Sequence, residues 1–261
     1  MARLATRRRR ASGWLALPAS LLCLIPFVVL VRVTPWTAFH LAYGDWTAVG
    51  TSLLLSAVAI VLVALLGTPL AFWLARTASR AGAWVNGLVL LTLLTPPLAM
   101  GILLTSAYGP YSGIGAALLQ LGASLNNNPA AFVLAQLYGG LPYFVVAARA
   151  AFEQVPLAQE ETATLLGASA WQTFYRVVAP QAARGLASGL TIAWVRVIGE
   201  FGIVLVFAYF PQGMPVKLYV NLQNDGLDAV YALLWLLLLV TLPLPLWLLS
   251  ASGRARDGAV Q

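Results

Sequence analysis

The chain is 261 residues long, 61% hydrophobic and only 9% charged, with a mean hydropathy of +0.85. A soluble domain carries about a quarter charged residues, so this balance excludes a soluble enzyme or a nucleic-acid-binding module and points to an integral membrane protein. One cysteine, Cys23, and one histidine, His40, leave no intrachain disulfide and no cysteine or histidine metal set, and the net charge of +7 is explained by where the arginines fall.

Residues 1–13 form a basic tail carrying Arg3 and the run Arg7 to Arg10. A basic block before an apolar stretch also fits a cleaved signal peptide, but the apolar run over residues 14–33 is longer than a usual signal core and long enough to span. It is read as an uncleaved first span with its N-terminus in the cytoplasm. Pro35 and Gly44-Asp45 mark a short external connection containing His40, and a second span covers about residues 49–74. A tight internal loop over residues 76–83 leads to a third span over about residues 84–107, with Pro96-Pro97 near its middle. Paired prolines there mean either a kink for packing or a broken helix lining a pathway, because neighbouring helices can satisfy the freed carbonyls.

Residues 108–128 are uncharged and read as an external loop with a short helix over residues 114–121. Pro129 suits the first turn of a fourth span reaching about residue 151, which Gly139-Gly140 and Pro142 interrupt, bending it or allowing close packing. A polar segment over residues 152–184 follows. A fifth span is expected over residues 185–210, then a turn at Pro211, Gly213 and Pro215 and a surface segment over residues 217–226. A leucine-rich sixth span over residues 228–249 ends in a short tail, residues 250–261.

The expected fold is thus all-α, a single domain of six transmembrane helices, and the charges test its orientation. With both termini cytoplasmic, twelve arginines lie inside: Arg3, Arg7, Arg8, Arg9, Arg10, Arg76, Arg80, Arg149, Arg176, Arg184, Arg254 and Arg256. Lys217 alone falls outside, while Arg32 and Arg196 lie within spans. That is the positive-inside asymmetry.

The polar segment between spans four and five reads EETATLLGASAWQTFYRVVAP from Glu160 to Pro180. Gly167 can relax the backbone after a first amphipathic run. Ser169 stands where an N-cap would start a second run through Val178, and Pro180 is expected to close it. Two short helices joined at a glycine make a compact knob, suited to lie against a membrane and be gripped by a soluble partner. Glu161-Thr162-Ala163, Gly167 four residues after Ala163, Ala168-Ser169, Phe174, Val177 and Pro180 thirteen after the glycine together resemble the EAA loop. That loop marks the permease subunits of binding-protein-dependent ABC importers. The pattern departs at Thr162, where the family usually has alanine, and at Ala179, where leucine precedes the proline; neither alters a helix–glycine–helix geometry.

Span five contains Arg196 and Glu200 one helical turn apart. A charge at mid-membrane costs about 2.5–3.5 kcal/mol on insertion scales, so such residues find partners or water. The pair either neutralises itself and pins helix packing, or walls a polar pathway in which Arg196 offsets the carboxylate and attracts an anion. Gly199 and Gly202 flank Glu200 and would let another helix approach closely. Gly199-Glu200-Phe201-Gly202 also resembles the fifth-span signature of the molybdate, tungstate and sulfate permeases. Pro96-Pro97 and the stretch from Pro215 to Asp228 resemble the molybdate/tungstate branch more than the sulfate one.

The resemblance implies a permease that pairs with a second copy in a homodimer, two cytoplasmic ABC ATPase subunits and an external binding protein in a bacterial or archaeal inner membrane. It implies no cofactor in this chain, ATP and Mg being used by the ATPase subunits. The coupling loop would comprise Glu160, Glu161, Thr162, Ala163, Gly167, Ala168, Ser169, Phe174 and Pro180. Related permeases carry sulfate, iron, thiamine or phosphate. An intramembrane enzyme would instead need a nucleophile with its base or a metal set, and no HExxH or paired intramembrane aspartates occur. A secondary transporter would usually need more spans and related halves.

Overall fold

The computed structural model describes residues 2–243 and 245, with side chains described from residue 17 onward. The basic tail side chains, the end of the expected sixth span and the tail over residues 250–261 lie outside these residues. Every regular element among the described residues is helical. In chain order they are α1 (Ala2–Val33), a 3-10 turn (Trp36–Ala38), α2 (Asp45–Arg76), α3 (Arg80–Leu94), α4 (Pro97–Tyr108), α5 (Gly113–Gln120), α6 (Pro129–Glu153) and α7 (Leu157–Leu165). Then come α8 (Ala170–Thr173), a π-helical turn (Phe174–Val178), α9 (Ala179–Ile198), α10 (Gly202–Phe207), α11 (Met214–Asp225) and α12 (Tyr231–Thr241).

α2 and α6 are each long and apolar enough to cross a membrane, and α3 with α4 makes a third only as a pair bent by 115°. α6 is the central post. Its buried face, from Ala131 through Phe144 to Phe152, packs between α2 and α9. Small side chains let these helices approach: Ala59, Ala71, Ala135, Ala148 and Ala193 are fully buried. Gln136 cross-ties the three, its Nε2 donating to Ser56 Oγ at 2.7 Å and to the Val197 carbonyl at 3.0 Å. Gly139, Gly140 and Pro142 do not interrupt α6, which runs unbroken; Gly140 makes room for α9 and Gly139 for Glu200 instead. A Cβ at Gly140 would lie 2.5 Å from Val197 Cγ2.

Opposite the polar segment, α11 is fastened to the start of α2. Buried Asp45 accepts from the Ala42 amide at 2.8 Å and from Asn221 Nδ2 at 2.9 Å, and the Met214 amide donates to Ser52 Oγ at 2.7 Å. The surface segment expected over residues 217–226 is this helix, begun a few residues earlier. Just after α1, buried Thr34 ties the chain to α12, its Oγ1 accepting from Trp235 Nε1 at 3.0 Å.

Two expectations are corrected. The fifth span is not continuous: the helix stops at Ile198 and restarts at Gly202. Pro180 does not close a helix either. α8, the π-turn and α9 form one uninterrupted helical run, with Pro180 in the first turn of α9. The physical reason is the π-turn, in which the Ala179 amide bonds back five residues to the Phe174 carbonyl. The wider turn accommodates a residue without an N–H, so a proline that would break a regular ladder is absorbed. The break at Pro96-Pro97, by contrast, is complete.

Candidate functional site

Two places stand out, one at each kind of helix interruption. The first is the knob formed by α7, Gly167 and α8. Gly167 has φ +87°, a left-handed conformation that costs a glycine little and other residues more. The Gly167 and Ala168 amides bond back to the Thr164 and Ala163 carbonyls, closing the end of α7 as a glycine C-cap does. Two residues on, Ser169 forms a capping box: its Oγ accepts from the Gln172 amide and the Gln172 Oε1 accepts from the Ser169 amide at 2.9 Å. The expected glycine junction and N-cap are present, while the second helix runs on past Pro180 into α9.

The knob is anchored by one ion pair and one ring. Arg76, the last residue of α2, donates through Nε to Glu160 Oε1 at 2.8 Å and through Nη2 to the Val155 carbonyl at 3.2 Å. Phe174, on the π-turn, sits against Phe72 of α2 and Phe152 of α6 at centroid distances of 5.0 and 6.1 Å. Glu160 and Phe174 therefore face the bundle. Glu161, Thr162, Ser169 and Pro180 face outward, and Ala163 and Ala168 are half-buried. The outer tip is apolar: Leu165 and Leu166 are 89% and 84% exposed, beside exposed Trp171 and Tyr175. A cavity of about 790 Å³ opens between the end of α2 and the knob, lined in part by Arg76, Glu161, Thr164 and Leu165.

The second place is where two broken helices meet. α4 and α10 cross closely: a Cβ at Gly202 would lie 2.7 Å from Pro97 Cβ, and one at Gly101 3.1 Å from the Ile203 carbonyl. Gly202 thus takes the close-approach role expected of it. Gly199 does not within this chain, since it faces only its own helix, at the Val195 carbonyl. Glu200, in the break, is fully buried. One of its oxygens accepts from the Ile203 amide at 2.9 Å and caps α10; the other faces Arg196 Nη2 at 3.1 Å. This second contact is an ion pair without aligned hydrogen-bond geometry, so Glu200 Oε2 and Arg196 Nε have no hydrogen-bond partner. Phe201 leans on Tyr219 of α11, with centroids 5.3 Å apart.

A cavity of about 150 Å³ lies between the two breaks and α6, lined by Thr92, Thr95, Pro96, Tyr138, Tyr143 and Arg196 among others. The Arg196 guanidinium carbon is 5.5 Å from the Tyr143 ring centroid. The structure thus brings Pro96, Pro97, Arg196, Glu200 and Gly202 close to one another. Sequence reasoning missed Arg76 as the knob's anchor and Tyr138, Tyr143 and the two threonines as cavity walls. Arg76 and Glu160 are 84 residues apart and meet only through the fold, so no local signal marked the pair. The lining tyrosines and threonines carried none either, because they stand on α6 and at or just past the end of α3, which only the fold brings together.

The topology and the sequence together define the class. Residues 67–251 match the family described as binding-protein-dependent transport system inner membrane component, and the chain belongs to that family. It is similar to the molybdenum transport system permease protein ModB of Mycobacterium tuberculosis, 35% identical over 87% of this chain and 89% of that one. It is 37% identical to a probable molybdenum ABC transporter permease protein of Haloferax volcanii, over 71% of this chain and 67% of the other. The molybdate/tungstate transport system permease protein WtpB of Pyrococcus furiosus is 30% identical over 80% and 79% of the two chains. Among solved structures, the fold matches a chain of a bacterial importer of the acidic polysaccharide alginate, with a TM-score of 0.73, 20% identity and coverage of 97% and 99%.

Proposed function

We propose that this chain is the permease subunit of an ATP-driven importer for a tetrahedral oxyanion, molybdate or tungstate. The observation that carries the mechanism is the knob: a glycine-hinged helix pair, anchored to α2 and α6, whose apolar tip is left exposed. Exposed leucines and a tryptophan on an otherwise polar projection are what a protein partner's cleft would cover. In this reading two copies of the chain form a homodimer with six spans each and both termini cytoplasmic. Two ATPase subunits grip the knobs, and an external binding protein delivers the ion.

The chain performs no chemistry of its own; ATP and Mg belong to the ATPase subunits. Closure of those subunits draws the knobs together, and rigid-body rocking of the spans switches access from outside to inside. Rigid transmission requires a stiff joint, which the Arg76–Glu160 pair and Phe174 supply. The relatives' names support the choice of ion, and so does an arginine at the cavity between the helix breaks. The test is elemental analysis of cells with and without the gene, grown in trace molybdate, tungstate and sulfate. A selective fall in molybdenum or tungsten is expected. A fall in sulfur alone would move the substrate to sulfate, and unchanged levels of all three would overturn the oxyanion reading.

A further inference from the structure

A permease fed by a binding protein needs no tight site, yet the cavity between the two helix breaks carries a cation that its surroundings do not fully use. Arg196 presents five N–H donors in a fixed fork. One of its nitrogens faces Glu200, Nε has no partner, and the plane lies by the Tyr143 ring. Glu200 is held more firmly than Arg196. Its side chain is fully buried and fixed by the Ile203 amide, whereas the Arg196 side chain is 30% exposed. The guanidinium can therefore turn while the carboxylate stays.

The space suits a small anion. A single water needs on the order of 10–15 Å³, so a cavity of about 150 Å³ holds something several times larger. Thr92, Thr95, Tyr138 and Tyr143 stand in its wall, and no carboxylate is among the lining residues. We propose that this cavity is a transient oxyanion site, in which Arg196 exchanges its contact with Glu200 for the passing ion. Bidentate recognition suits a guanidinium and a tetrahedral oxyanion as it does phosphate. Glu200 sets the strength: its charge competes with the ion, so occupancy is brief and release is quick. Once the ion leaves, the pair re-forms, and no unpaired buried charge remains between cycles.

The inference rests on the importer reading, and the experiment separates the two. In the assembled transporter, Cys23→Ser removes the native thiol and Thr95→Cys places one in the cavity wall. Labelling by a neutral maleimide is followed with molybdate, tungstate, or chloride at matched ionic strength, and ATP-driven molybdate uptake is measured on the same preparation. Either oxyanion should slow labelling at least about fivefold and chloride should not. Arg196→Gln should abolish the protection, while Arg196→Lys should keep part of it. Uptake without any protection overturns the site alone, and protection that survives Arg196→Gln overturns the role of Arg196. Protection without uptake supports the site and tells against the importer reading.

Discussion

The knob and the cavity both depend on interrupting a helix, and they do it with opposite chemistry. At Gly167 the interruption lies in the open, and freed backbone groups are met locally by a glycine turn and a serine–glutamine capping box. At Gly199–Phe201 the interruption is enclosed, and the cap is a buried carboxylate whose charge is balanced by an arginine on the preceding helix. The difference follows from the solvent. Near water, neutral caps suffice, because water takes up whatever they leave unmet. In apolar surroundings each unmet group is costly, so the break must carry its own acceptor and its own counter-charge. An interruption of the first kind is a joint, while one of the second kind creates a polar spot inside an apolar bundle.

If that contrast is right, removing the acceptor from the enclosed break has the largest effect. Glu200→Ala deletes the α10 cap and strands Arg196 together. Breaking a buried pair from one side costs about 3–5 kcal/mol. A sharp loss of monodisperse protein in detergent, with a much lower thermal midpoint, is the expected result. Glu200→Gln keeps an oxygen for the Ile203 amide and should lose clearly less. Equal stability of Glu200→Ala and wild type would mean that the break is satisfied by something other than this side chain.

The matching change at the open joint should spare the bundle and damage transmission. Proline cannot adopt the φ of +87° found at Gly167, because its ring holds φ near −65°. Strain of about 1–3 kcal/mol is expected, confined to the knob. In proteoliposomes with the ATPase and binding protein, Gly167→Pro should retain ATP hydrolysis and lose most of the uptake. Normal uptake would remove the knob from the coupling path.

How far these features were legible in the sequence follows the same division. The knob could be read in detail, since caps and glycine turns are set by residues three or four apart: Ser169 with Gln172, and Gly167 with the end of α7. The helical class and the break at Pro96-Pro97 were also legible, from composition and from a residue pair that cannot continue a ladder. The break at Gly199–Phe201 was not, because no proline marks it and nothing local announces that Gly202 packs against Pro97, more than a hundred residues earlier in the chain. Pro180 was misread for the converse reason. A proline reads as a stop, but a π-turn ending two residues earlier absorbs it, and nothing local in the sequence announces that turn.

The smallest expected effect sharpens the contrast most, because it tests a neutral cap against the charged one. Ser169→Ala removes the hydroxyl that accepts from the Gln172 amide and leaves the other half of the box in place. Loss of a serine N-cap costs about 1 kcal/mol. Water can reach the freed amide at this exposed site, so global stability should hardly move. Hydrogen exchange at the Gln172 amide should quicken about fivefold, with exchange inside α6 unchanged, and uptake should fall only modestly. A change as large as that of Glu200→Ala would mean that the knob is structurally continuous with the core. The Arg76–Glu160 pair and Phe174 would then be parts of the bundle itself, and the division between an open joint and an enclosed break would fail.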